Sequence, residues 1–199
     1  MMLPRRYDDV GQAFPIYITV VAGLLFLAFA YLAVGQAAAN RNGAQTAADA
    51  AALAAAQDTR DTLAGQWLDV VRDPTKWRDI LDGRVAVLDG CPRADQLAAQ
   101  NDAQVLGCDG QLSDLSYRVE VKTDKSVGDS IVPGTENKHS KASAKAIIEP
   151  LCTFELPGNH AGDDVLPGLT CKDRDWDLNP DDPAGLPEPK DLFDVHLAD

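Results

Sequence analysis

Residues 12–40 read QAFPIYITVVAGLLFLAFAYLAVGQAAAN, with no charged side chain among them. The apolar heart, residues 13–34, reaches roughly 33 Å as a helix rising about 1.5 Å per residue, enough to cross the hydrocarbon core of a bilayer. A secretory signal peptide also begins with positive charge, here Arg5 and Arg6, and can end at small residues such as Ala37-Ala38-Ala39. Its apolar part is normally only about 7–15 residues, however. A core helix of a soluble domain keeps a polar stripe, and this stretch has none. The expectation is a retained transmembrane helix over residues 12–40, so that everything after it lies on one side of a membrane.

The flanks suggest which side. Arg5, Arg6 and the terminal amine precede the span, whereas the first basic residues after it are Arg41 and Arg60. This excess favours a cytoplasmic leader, residues 1–11, and an external remainder. All four cysteines, Cys91, Cys108, Cys152 and Cys171, follow the span, which suits disulfides in an oxidising exterior. Of the three possible connectivities, Cys91 with Cys108 and Cys152 with Cys171 closes the shortest loops. Each bridge would add about 3 kcal/mol by restricting the unfolded chain. Zinc is the other use of four cysteines, but no Cys-x-x-Cys pair is present.

The 199 residues carry a net charge of −13, which argues against nucleic acid and against adhesion to anionic lipid. Residues 155–199 hold twelve Asp and Glu against three Lys and Arg, a net of −9, so the acid is mostly C-terminal.

After the span, alanine dominates residues 44–56, and its helix propensity lets the membrane helix continue. Leu53, Ala56, Leu63, Trp67, Val70 and Val71 then recur every three or four residues, opposite Asp58, Asp61 and Asp69. One helix is expected to leave the membrane, turn amphipathic over residues 41–73 and end near Asp73. Gly43 and Gly65 are points where it can bend. Its small side chains let either partner helices or the domain's own sheet approach closely. Asp73 and Pro74 start a second helix through Leu81, and residues 93–101 form a third with Ala94, Leu97 and Ala98 inward.

Residues 102–110 read as a turn leading toward a strand. Tyr117, Val119 and Val121 alternate with Arg118, Glu120 and Lys122, and Ala142, Ala144, Ala146 and Ile148 repeat the pattern. Two strands flanking an exposed loop, residues 124–140, are expected to pair as an antiparallel hairpin against the helices. The fold class is therefore α+β: a long N-terminal helix, two short helices and a small antiparallel sheet, within a disulfide-containing external domain over residues 74–156.

Residues 157–199 read as an acidic, Pro/Gly-rich, largely irregular tail. Asp173, Asp175, Asp177, Asn179 and Asp181 place an oxygen at every second position and are the calcium candidates. Leu178 and Ala184 stand where an EF-hand loop needs Gly and Glu, which leaves a solvated acidic run as the reading. His139, His160 and His196 are scattered, without a nucleophile, His-x-x-x-His pair or phosphate-binding glycine loop. His160 with Asp163 and Asp164 comes nearest to a site. No enzyme, cofactor or small-molecule substrate is expected.

The run DDVGQAFPIYITVVAGLLFLAFAYLAVGQAAANRNGAQTAADAAALAAA, above all QTAADAAALAAA at residues 45–56, resembles the N-terminal segment of TadE/TadG-like proteins of Tad (Flp) pilus assembly; the helix-turn-strand between Cys91 and Cys108 followed by Tyr117 to Lys122 is similar to actinobacterial members, and the acidic tail has no counterpart there. The resemblance implies a structural or accessory part of a pilus or secretion apparatus, in contact with the bilayer and with other pilin-like membrane proteins. Gly11, between a charged leader and an apolar helix, resembles a prepilin-peptidase site and is the candidate processing position. Processed pilins carry a Glu five residues after the cut, where this chain has Ile16, a departure that sits better with TadG-like proteins. The expectation of another class is a membrane-tethered binding or calcium-sensing module working through the acidic tail.

Overall fold

A computed structural model describes residues 13–87, 89–126, 137–156, 166–172 and 174–198. Its spine is α1, Ala13–Asp69, 57 residues in one helix. At about 1.5 Å per residue it is roughly 86 Å long and runs through Gly43 and Gly65 without a break. It stops four residues short of the expected Asp73. Val70 N–H donates to Trp67 O (3.2 Å) and Val71 N–H to Leu68 O (3.3 Å), tightening the last turn. Pro74 then holds Asp73 in a non-helical conformation (φ −122°, ψ 82°). A 3-10 turn, Pro74–Lys76, leads into α2, Trp77–Leu81, and α3 spans Cys91–Gln100.

One four-stranded antiparallel sheet has the order β1-β2-β3-β7, from Ala103–Gln111, Ser116–Ser126, His139–Pro150 and Phe193–Leu197. A second has the order β4-β5-β6, from Cys152–Phe154, Leu169–Cys171 and Arg174–Trp176. The expected hairpin is β2 with β3, in a register that pairs Val119 with Ala144 and Val121 with Ala142. The turn expected at residues 102–110 is largely the strand β1, which reaches Gln111 and carries an irregularity between Val105 and Gly107. Strand structure also extends into the expected loop, to Ser126 on one side and from His139 on the other. Residues 127–136 lie outside the described residues.

The expectation of a largely irregular tail is corrected at its end. Pro189–Leu192 forms the short helix α4, and β7 pairs along β3 from Pro150↔Phe193 to Ala146↔Leu197. Leu192 and Phe193 are fully buried, so the last stretch of the chain is part of the core that the first helix builds. Phe193, Val195 and Leu197 alternate with Asp194 and His196, the pattern of a strand with one covered face.

The core lies between α1 and the larger sheet. Ala44, Ala47, Ala48, Ala51, Ala52, Ala55, Ala56, Thr59, Leu63, Trp67 and Val71 are all buried, a stripe at helical spacing. Tyr117, Val119, Val121, Ala144, Ala146 and Ile148 face it from the sheet. Of the two uses open to the alanines, covering by the chain's own domain is the one observed. Alanine keeps the helix axis close to sheet and α3, and the tightest point is Gly90. A Cβ there would sit 2.4 Å from Ala55 O.

Tyr117 fastens the same region. Its ring covers Gly110, its partner across β1, where an added Cβ would fall 2.7 Å from Cε1. Its hydroxyl accepts from Gly90 N–H (3.2 Å) and shares a 2.8 Å hydrogen bond with Thr59 Oγ1, both buried. Tyr117→Phe leaves the Gly90 N–H and the Thr59 hydroxyl without this partner, and a loss of about 1–3 kcal/mol is expected. For a chain of this size each kcal/mol lowers Tm by about 2–4 °C. Thermal unfolding of Tyr117→Phe, Thr59→Val and the double variant checks this. The double variant should lose less than the sum of the singles.

Candidate assembly surface along the long helix

The two parts of α1 differ in what covers them. From Phe14 to Gly43 almost every residue is exposed, and this part holds most of the exposed large apolar side chains of the described chain. Phe14 and Val34 are each 70% exposed and Tyr31 83%, where burial would normally be expected of such residues. The hydroxyl of Thr19 donates to Pro15 O one turn back (2.8 Å), so the polar side chain is satisfied within the helix. The positions of Gly23 and Gly35 open onto free space. By length and composition the helix can cross a membrane.

Asn40 marks the junction with the domain. Its amide Nδ2 donates to Lys125 O (3.2 Å) and Ser126 O (3.1 Å), and its Oδ1 lies 3.3 Å from the hydroxyl of Thr123. That hydroxyl also accepts from Ser140 N–H (3.1 Å), and His139 Nδ1 lies 2.8 Å from Thr123 O. The end of the β2–β3 hairpin is thereby tied to the helix where its free part begins. The role of Asn40 was not visible in sequence, where it ends an apolar run without a periodic partner.

At the far end, the Trp67 and Trp77 rings lie 5.2 Å apart, and Trp77 lies 5.2 Å from Phe154, joining α1, α2 and the small sheet. Trp77 Nε1 donates to Val70 O (3.2 Å). Arg72 pairs with Asp181 at 2.5 Å, which brings the acidic segment to the end of α1. Cys91 is bonded to Cys108, linking α3 to β1, and Cys152 to Cys171, linking β4 to β5.

The other sequence candidates are dispersed. Asp175 Oδ1 accepts from Thr170 (2.7 Å), Asn179 Oδ1 from Asp181 N–H (3.1 Å), and Asp181 is held by Arg72. Among the described residues no three His, Cys, Asp or Glu side chains form a metal-holding group. Asp173, His160, Asp163, Asp164 and Gly11 lie outside the described residues. His196 Nδ1 contacts Asp194 (3.2 Å), on the opposite side of the sheet from its neighbours in the core. Local ion pairs tune a few surface groups. Hydrogen bonding from Lys190 holds the Glu188 carboxyl below its usual value, and Thr75 and Lys76 do the same for Asp73.

What this arrangement offers is a helix face: an exposed rod, uncharged from Phe14 to Asn40, continuous with a folded domain. Comparisons with curated proteins and with solved structures find no match to the chain. The family model described as putative Flp pilus-assembly TadE/G-like matches residues 11–58, a stretch that takes in the described free helix and the alanine stripe, and over that segment the chain is similar to TadE/G-like proteins.

Proposed function

We propose that the protein is a single-pass, membrane-anchored structural component of Tad/Flp pilus assembly or secretion. A pilus-assembly role is supported by the TadE/G-like match, a family that is structural or accessory rather than catalytic. In this reading residues 1–11 are cytoplasmic, residues 12–40 cross the membrane, and the disulfide-bonded domain projects outside. The observation that carries it is the division of α1: the apolar part is exposed while the same unbroken helix is locked into the domain beyond Ala44. Side chains in the free part can meet lipid or a partner helix but not the chain's own core.

A photoreactive residue placed at Phe26 or Tyr31, in cells that make pili, tests the assembly role. Adducts to other pilus-assembly subunits are the expected result. Adducts to lipid alone would refute helix-mediated assembly but leave anchoring intact, and recovery in the soluble fraction would refute both.

A further inference from the structure

The β2–β3 hairpin is basic in an acidic protein. Its described residues, 116–126 and 137–150, carry six Lys and Arg against Glu120, Asp124 and Glu149, a net of +3, while residues 174–182 set Asp175, Asp177, Asp181 and Asp182 against Arg174 alone. The alternation that sends Tyr117, Val119 and Val121 to the core sends Arg118 and Lys122 to the other face. The register then sets like charges opposite one another, Arg118 across from Lys145 and Lys122 across from Lys141. Such pairs destabilise a sheet unless an anion lies nearby. Lys145 reaches Asp114 (3.3 Å) and Lys141 reaches Glu120 (3.7 Å). Loss of water contact pushes the Asp114 carboxyl up, but hydrogen bonds from Lys145, Ser113 and Ser116 together with the Lys145 charge outweigh it, and the pKa lies below the usual value. Arg118 and Lys122 have no carboxylate at ion-pair distance among the described residues.

The two charged regions sit at different heights along α1. Asn40 fixes one end of the hairpin and Thr59 meets Tyr117 toward the other, whereas Arg72 holds Asp181 beyond the helix end. Asp181 and its neighbours are thus roughly 20–48 Å farther along the axis, at about 1.5 Å per residue, whereas Asp194 of the same acidic tail lies beside β3, across from Glu149. Two copies side by side at one level would set acid against acid and base against base. Copies displaced along the axis would set the acidic segment of one against the basic hairpin of the next.

We infer that this chain associates with itself in axial offset, the face of Arg118, Lys122, Lys141 and Lys145 receiving Asp175, Asp177, Asp182 and neighbouring carboxylates of a second copy. The contact is heterologous and, where its rotation does not close, repeats into an open helical array. It rests on the assembly role proposed above and names the partner as another copy.

The test uses the full chain in a neutral detergent. Sedimentation should show self-association that falls about tenfold in affinity or more near 1 M NaCl, where the screening length is about 3 Å. Carbodiimide coupling of isotopically mixed copies should join Lys122, Lys141 or Lys145 of one copy to carboxylates of residues 175–188 of another. Lys122→Glu with Lys141→Glu should abolish association, as should Asp177→Lys with Asp182→Lys, and mixing the two variants should restore it. Circular dichroism confirms that each variant is folded. Association unaffected by salt or reversal, failure of the mixture to associate, or hairpin protection that requires anionic lipid would overturn the inference. Membrane retention and pilus-subunit adducts are scored separately, so the assembly role can stand if the offset contact falls.

Discussion

Trp67→Ala is expected to lower stability by about 3–5 kcal/mol, the range for removing a large aromatic side chain from a packed core. Trp67 is fully buried on the last turn of α1, and its ring is the first of the Trp67–Trp77–Phe154 series. Truncation leaves a cavity where three separate parts of the chain converge. At about 2–4 °C per kcal/mol, Tm of the full chain in detergent should drop by about 6–20 °C. Trp67→Phe separates packing from polarity. Trp67 Nε1 is buried without a hydrogen-bond partner among the described residues, and an unmade bond of this kind costs about 1–3 kcal/mol. Phenylalanine removes that N–H while keeping most of the ring contact, so its loss should be far smaller than that of alanine. Equal losses would mean that the indole N–H is satisfied in solution.

The same helix shows why some of the fold was legible in sequence. Leu63, Trp67 and Val71 recur at helical spacing and are buried as that spacing requires; Asp58, Asp61 and Asp69 fall opposite and are exposed. β2 and β3 were readable because their inward residues are apolar at every second position. β1 was not: Gly107 and Gly110 interrupt its pattern, and the register irregularity after Val105 shifts the alternation in mid-strand. β4, β5 and β6 are three residues each, too short to show a period. β7 does alternate, but it lies among Asp and Pro, whose composition outweighed five residues of pattern. The free part of the helix was legible because it lacks charge. Its junction at Asn40 was not, since it depends on backbone carbonyls more than eighty residues away.

The uncharged stretch also permits a quantitative forecast for anchoring. Residues 13–34 contain twelve Leu, Ile, Phe and Val. At about −0.3 to −0.6 kcal/mol each near a bilayer centre, they favour insertion by about 4–7 kcal/mol, before the smaller opposing contributions of Pro15, Gly23 and Thr19. One arginine at Leu24, the midpoint, opposes this by about 2.5–3.5 kcal/mol. Leu24→Arg should therefore remain largely in membranes after an alkaline wash. Leu24→Arg with Leu27→Arg opposes insertion by about 5–7 kcal/mol and removes two leucines as well, which reverses the balance. The double variant should appear in the soluble or degraded fraction. Two arginines at Gln36 and Ala39 are the position control, because near the helix end their side chains extend into the headgroup layer at little cost. Retention of all three variants alike would show that residues 13–34 do not sit in hydrocarbon. The depth dependence, rather than the loss itself, distinguishes a helix that spans from one that only packs against another protein. A buried protein interface would reject charge according to helix face, whereas a bilayer rejects it according to depth.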